Sequence, residues 1–185
     1  MPRLVSLRST LTAVVLGAAI VASLPSTDAC ANGAQRAEVG PSGLPLPRFV
    51  SLKAGRVNMR VGPGLNYAVE WLYLKEGLPV EIIHEYGNWR QVRDAQGAEG
   101  WINQALLSGR RTGLAAPWFR GKKAYIPLLS EPSSGASVVA QIQPGALGKI
   151  RSCNGEWCRM EFSGHTGWMD QTMIWGAYAG EKIGD

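Results

Sequence analysis

Apolar and polar residues alternate in short runs along this chain. Residues 57–61 alternate, and residues 68–74 and 80–84 are rich in branched and aromatic side chains. Residues 89–93 alternate again, with Trp89, Gln91 and Arg93 on one face and Arg90 and Val92 on the other. Residues 100–103 read as a further short strand, and Gln104-Ala105-Leu106 suits one 3₁₀ turn. Five short strands cut by Gly and Pro predict a small barrel or sandwich.

The pattern then recurs. Gly87-Asn88-Trp89, Gly100-Trp101-Ile102 and Gln104 are matched by Gly155-Glu156-Trp157, Gly167-Trp168-Met169 and Gln171. The tryptophans are 12 residues apart in the first set and 11 in the second. Upstream, Glu76-Gly77 matches Pro144-Gly145, and Gly62-Pro63-Gly64 parallels Glu131-Pro132-Ser133. A repeat of this kind predicts two copies of one small unit. The expected division is a first domain over 48–108, a linker over 109–121, a second domain over 122–177 and a frayed tail over 178–185. A Gly-, Ala- and Pro-rich stretch, 32–47, reads as a flexible lead-in.

Composition supports an all-β chain. Of 185 residues, 23 are Gly and 11 are Pro, which favours turns over long helices. The formal charge of +5 suits anionic polymers, but no long Lys/Arg run points to nucleic acid. Arg3 and Arg8 precede a 14-residue uncharged stretch, 11–24, which Pro25 interrupts before Ala29-Cys30-Ala31. This is the layout of a secretory signal peptide removed after about Ala31. The stretch is shorter than the roughly 20 residues a spanning helix needs. A membrane anchor and lipid attachment at Cys30 are the alternatives, and Thr27 and Asp28 are unusual for the latter. After removal of the leader, Cys153 and Cys158 remain. They flank Asn154-Gly155, a turn dipeptide, so in an oxidising compartment they predict a disulfide across a hairpin.

The string Val57-Asn58-Met59-Arg60-Val61-Gly62-Pro63-Gly64-Leu65-Asn66-Tyr67 resembles the N-x-R-x-G-P-G opening of the bacterial SH3 (SH3b, SH3-like) domain family. The Lys75-Glu76-Gly77 turn, the Gly-x-Trp hairpin and the closing Gly100-Trp101-Ile102 complete the resemblance over 48–108. The second copy resembles the family less fully, with Pro127 and Leu129 in place of the opening Asn and Arg. The resemblance implies two tandem SH3-like small β-barrels, each of five or six strands. It also implies a binding role toward peptidoglycan, its stem peptides or protein partners.

Catalysis is not expected. His84 and His165 read as surface residues, the paired cysteines leave no Cys–His couple, and no two carboxylates are placed across a cleft. No metal site or cofactor is expected. The candidate binding residues are Asn58, Arg60, Tyr67, Trp71, Tyr73, Tyr86, Trp89 and Trp101. Rigid aromatics near loops can stack on a peptide or sugar. For Trp89 and Trp101 a core role competes, and for Arg60 a role in tying down the Gly-Pro-Gly loop. Trp118 and Phe119 are expected to pack between the domains, with a ligand or partner surface as the alternative. The resulting expectation is a non-enzymatic periplasmic or secreted protein without a membrane span once the leader is gone. Its partner is cell-wall glycan or peptide, or alternatively an envelope protein that it binds as an adaptor.

Overall fold

Gly and Pro divide the chain into segments that hold strands and single turns. The structure, a computed structural model, describes residues 38–184; the proposed leader lies outside the described residues. A short hairpin, β1 (Glu38–Val39) and β2 (Pro45–Leu46), comes first. The first main sheet contains β3 (Arg48–Leu52), β4 (Val57–Arg60), β5 (Val69–Tyr73), β6 (Pro79–Tyr86), β7 (Trp89–Arg93), β8 (Glu99–Asn103) and β9 (Leu107–Ser108). Its spatial order is β5-β4-β8-β7-β6-β3-β9.

The second main sheet contains β10 (Thr112–Ala115), β11 (Ile126–Leu129), β12 (Val138–Ile142), β13 (Leu147–Asn154), β14 (Trp157–Phe162), β15 (His165–Asp170) and β16 (Ile174–Trp175). Its order, β12-β11-β15-β14-β13-β10-β16, reproduces the first strand for strand. A last strand, β17 (Lys182–Ile183), adds to β13. The internal sequence repeat is therefore a repeat of topology.

Period-two alternation sets the inward faces. Val57, Met59, Val80, Ile82, Val92 and Ile102 fill the first core, and Ile126, Leu128, Ile150, Met160, Phe162 and Met169 the second. The repeated Gly-Trp pair has a direct steric cause. A Cβ on Gly100 would lie 2.6 Å from Met59 Cγ, and one on Gly167 would lie 2.6 Å from the Leu129 carbonyl oxygen. Glycine lets the strand close onto the core, while the tryptophan that follows stays half-buried on the opposite face. Cys153 and Cys158 stand opposite each other in the β13–β14 ladder and are disulfide-bonded. Closing so short a loop contributes only about 2 kcal/mol in the chain-entropy model.

Three stretches differ from the sequence expectation. Within the lead-in, β1 pairs with β2 and Leu46 is buried in the first core. The linker contains β10, which pairs with β13 and β16 and is the counterpart of β3. The run Thr112-Gly113-Leu114-Ala115 has a single large apolar side chain, Leu114, and so shows no alternating pattern. Gly113 is small because a Cβ there would lie 2.6 Å from Ile174 Cγ2. The tail contains β17, and Glu181 holds Arg111 through two hydrogen bonds of 2.6 and 2.9 Å.

Among the described residues, both sheets belong to one compact unit. Phe49 of β3 packs edge-on against Trp175 of β16, with ring centroids 5.1 Å apart, and against Tyr178 at 4.7 Å. The Tyr178 hydroxyl donates to Glu81 Oε1 at 2.8 Å, and Thr112 Oγ1 donates to the Gly77 carbonyl at 2.7 Å. These residues take the interdomain role expected of Trp118 and Phe119. Trp118 is instead exposed, and Phe119 packs on the second core.

Candidate functional site

The outer face of β4, β8, β7 and β6 carries the polar and aromatic positions that alternation removes from the core. Cross-strand register sets Arg60 opposite Trp101, Trp101 opposite Gln91, and Gln91 opposite His84. A neighbouring row sets Asn103 opposite Trp89 and Trp89 opposite Tyr86. Opposed residues in antiparallel strands share a face, so these rows form one surface. The His84 and Trp101 rings meet edge to face at 6.0 Å.

At one end of this face lies a cleft of about 240 Å³ lined by Asn58, Arg60 and Trp89 together with Arg56, Leu65, Asn103 and Leu106. Three of the eight residues picked out by sequence thus come together. Trp101 and Tyr86 extend the same sheet face beside the cleft. Trp71, on the outermost strand β5, is exposed away from it. Tyr73 is not a surface residue: it is buried in the first core, and its hydroxyl donates to Asp94 Oδ2 at 3.1 Å. Burial, reinforced by the Asp94 charge, raises its pKa far above the usual phenol range, so Tyr73 stays a neutral donor. Its aromatic character in the sequence reflects core packing.

Tyr67 and Arg60 build the loop above the cleft. Arg60 Nη1 donates to the Tyr67 carbonyl at 2.6 Å. The Tyr67 ring lies against the loop backbone, where a Cβ on Gly62 would collide with it and one on Gly64 would lie 3.2 Å from Cδ2. The Gly-Pro-Gly string is therefore shaped by the ring it carries. Gly62→Ala is expected to cost about 1–3 kcal/mol by overpacking. Tyr67→Ala in the same chain should recover most of that loss, a coupling that denaturant titration of the double-mutant cycle would measure.

Behind the cleft, a buried polar network holds the Gly87-Asn88-Trp89 hairpin. Arg90 donates to the Gly87 carbonyl at 2.8 Å and to Gln104 Oε1 at 2.5 Å, while Gln104 donates to Asn88 Oδ1 at 3.0 Å. Arg90 Nε lies 3.2 Å from Glu85, which also pairs with Arg48 at 2.5 Å and accepts from the Ser42 amide and hydroxyl, each at 2.8 Å. Burial acts to raise the Glu85 pKa, but the bonds from Arg48 and Ser42 outweigh it and bring the group down to about 2.

Sequence reasoning missed Arg56, Leu65, Asn103 and Leu106, whose separate segments meet only through β-pairing. It also missed Glu85, although Arg90 shared the inward phase of Val92. Among the described residues, no group of three or more His, Cys, Asp or Glu side chains is placed to hold a metal ion. No described helix is long and apolar enough to cross a membrane.

A curated relative from Bacillus subtilis (strain 168), YrvJ, carries the name of an N-acetylmuramoyl-L-alanine amidase and is 21% identical over 143 residues. The match covers 70% of this chain but only 27% of that protein, so the chain spans about a quarter of its relative's length. Among solved structures, NlpC2 from Trichomonas vaginalis aligns at 16% identity and a TM-score of 0.31, over 70% of this chain and 48% of that one. An NlpC/P60 family protein from Bacillus cereus ATCC 10987 aligns at 11% identity and a TM-score of 0.30, over 68% and 55%. The bacterial SH3 domain model matches residues 53–109 and 122–176, so in both copies the match begins after the first strand. With more than half of its length matched, and two sheets of one topology, the chain belongs to the bacterial SH3 domain family.

Proposed function

We propose that the protein binds cell-wall material outside the cytoplasm, and that the first barrel's cleft receives an anionic group, a carboxylate of a wall peptide or sugar. One observation carries this reading: Arg56, Asn58 and Arg60 stand beside Trp89 in a cleft whose lining contains no carboxylate. Guanidinium groups recognise carboxylates through fixed, forked donors, and the indole offers a stacking face for a sugar or peptide. The disulfide agrees with an oxidising, extracytoplasmic compartment. The name of the YrvJ relative refers to an N-acetylmuramoyl–L-alanine bond, which joins a sugar to a peptide, and so offers wall material as the ligand class.

Co-sedimentation with purified peptidoglycan sacculi tests the proposal. Neutralising the cleft with Arg56→Gln and Arg60→Gln should weaken retention about tenfold, and added salt should weaken the native protein's retention in the same direction. Retention equal to native in the double variant would refute it.

A second reading, an adaptor for an envelope protein, is favoured by the edge strand β5, where Val69 and Trp71 are 46% and 55% exposed. A partner peptide could add to such an edge as a further strand. In that case Trp71→Lys should abolish partner capture while the cleft variant leaves it intact.

A further inference from the structure

The second barrel contains the counterpart of the first barrel's cleft, built from different chemistry. Leu129 stands opposite Trp168 as Arg60 stands opposite Trp101. Trp157 stands opposite Asp170 as Trp89 stands opposite Asn103. Asp170 and Asn103 each cap the 3₁₀ turn that follows. The second cleft has a volume of about 390 Å³, and its lining includes Tyr125, Pro127, Leu129, Trp157 and Asp170. In the first cleft Arg56, Asn58 and Arg60 hold the places of Tyr125, Pro127 and Leu129. The two clefts are therefore opposite in charge: the first lining holds two arginines and no acid, the second one carboxylate and no cation.

We infer that the second cleft binds an ammonium group on an aliphatic stem, presented by a peptide side chain or terminus. Three observations converge on this chemistry. The apolar walls fit a hydrocarbon stem. Asp170 supplies the opposite charge beside an indole, the aromatic face most attractive to a cation. Asp170 Oδ1 is committed to the Thr172 amide and hydroxyl, at 2.8 and 2.7 Å. An adjoining cleft of about 320 Å³ shares Trp157 and Asp170 and adds Glu156, so the acidic charge gathers at this end. Lys122 Nζ, outside this lining, lies 5.0 Å from the ring centroid of Phe119, which does line the cleft. Lys122 and Lys123 line a separate cleft that shares Tyr125 and lacks Asp170, so like-charge repulsion there favours placing the ligand's cation beside Asp170.

This inference does not depend on what occupies the first cleft, and the two are read at different tryptophans. The test is titration of the intact protein with an end-blocked Ala-Lys-Ala peptide, compared with the same peptide acetylated on the lysine amine. The indole N–H signals of Trp157 and Trp89 are followed by NMR. The free-amine peptide should move Trp157 and leave Trp89 in place, and acetylation should weaken binding about tenfold. Asp170→Asn removes the charge while keeping a side chain that caps equally well. It should bring the free-amine peptide down to the acetylated one's affinity, with the other indole signals unmoved. Equal affinity of the two peptides for the native protein, unchanged discrimination in Asp170→Asn, or no movement of Trp157 would each overturn the inference.

Discussion

Glu85→Ala should destabilise the protein by about 3–5 kcal/mol, because it leaves buried guanidinium charge without its counter-ion. The Glu85 side chain is 1% exposed and faces Arg48, 17% exposed, and Arg90, 8% exposed. Removing the carboxylate also leaves the Ser42 amide and hydroxyl without their acceptor. The damage should reach the cleft, since Arg90 also holds the Gly87 carbonyl and Gln104.

The pH dependence follows from the same site. The folded pKa of Glu85, about 2, lies below its ordinary value of 4.5. Its contribution, about 3 kcal/mol for a depression of that size, is present above pH 4.5 and lost as pH falls toward 2. Urea titrations between pH 6 and pH 2 should show this decline in the native protein. Glu85→Gln should remove that portion of it, and an unchanged acid slope would contradict the assignment.

Phe49→Ala should cost about 3–5 kcal/mol, the usual range for deleting a buried aromatic side chain. Its second effect is more specific. Phe49 is 7% exposed and belongs to the first sheet, yet its ring contacts Trp175 of β16 in the second sheet and Tyr178 just after it. Without the ring, the coupling between sheets rests mainly on the Tyr178–Glu81 and Thr112–Gly77 hydrogen bonds and on the exposed Arg110–Glu76 pair. An exposed ion pair contributes roughly 0–1 kcal/mol. Calorimetry should therefore show one cooperative transition in the native protein and two in Phe49→Ala, with the van't Hoff enthalpy falling below the calorimetric one. A single transition in the variant would show that the contact does not couple the barrels.

The two-copy all-β architecture was legible because it is encoded locally. Alternation at 57–61 and 89–93 assigns the faces of β4 and β7, and Asn154-Gly155 between cysteines marks a hairpin. The Gly-Trp repeat records one steric demand met twice, at Met59 and at Leu128–Leu129. β10 was not legible as a strand, because it has one large apolar side chain, Leu114, and its Gly113 is set by distant Ile174. The cleft was half legible. Asn58, Arg60 and Trp89 carry the family's motif, whereas Arg56, Asn103 and Leu106 acquire a role only once β4, β7 and β8 are side by side. Tyr73 shows the converse, an aromatic residue in a promising context that is committed to the core, whereas Tyr67 braces its own loop and stays exposed.

The most direct test of the binding account is to titrate the protein with soluble peptidoglycan fragments while following the indole N–H signals of its seven tryptophans. The account predicts that Trp89 moves saturably, that Trp71 and Trp118 do not, and that Arg56→Gln with Arg60→Gln raises the midpoint of the movement about tenfold. Fragments that bind without moving Trp89, or that move it equally in the double variant, would contradict it.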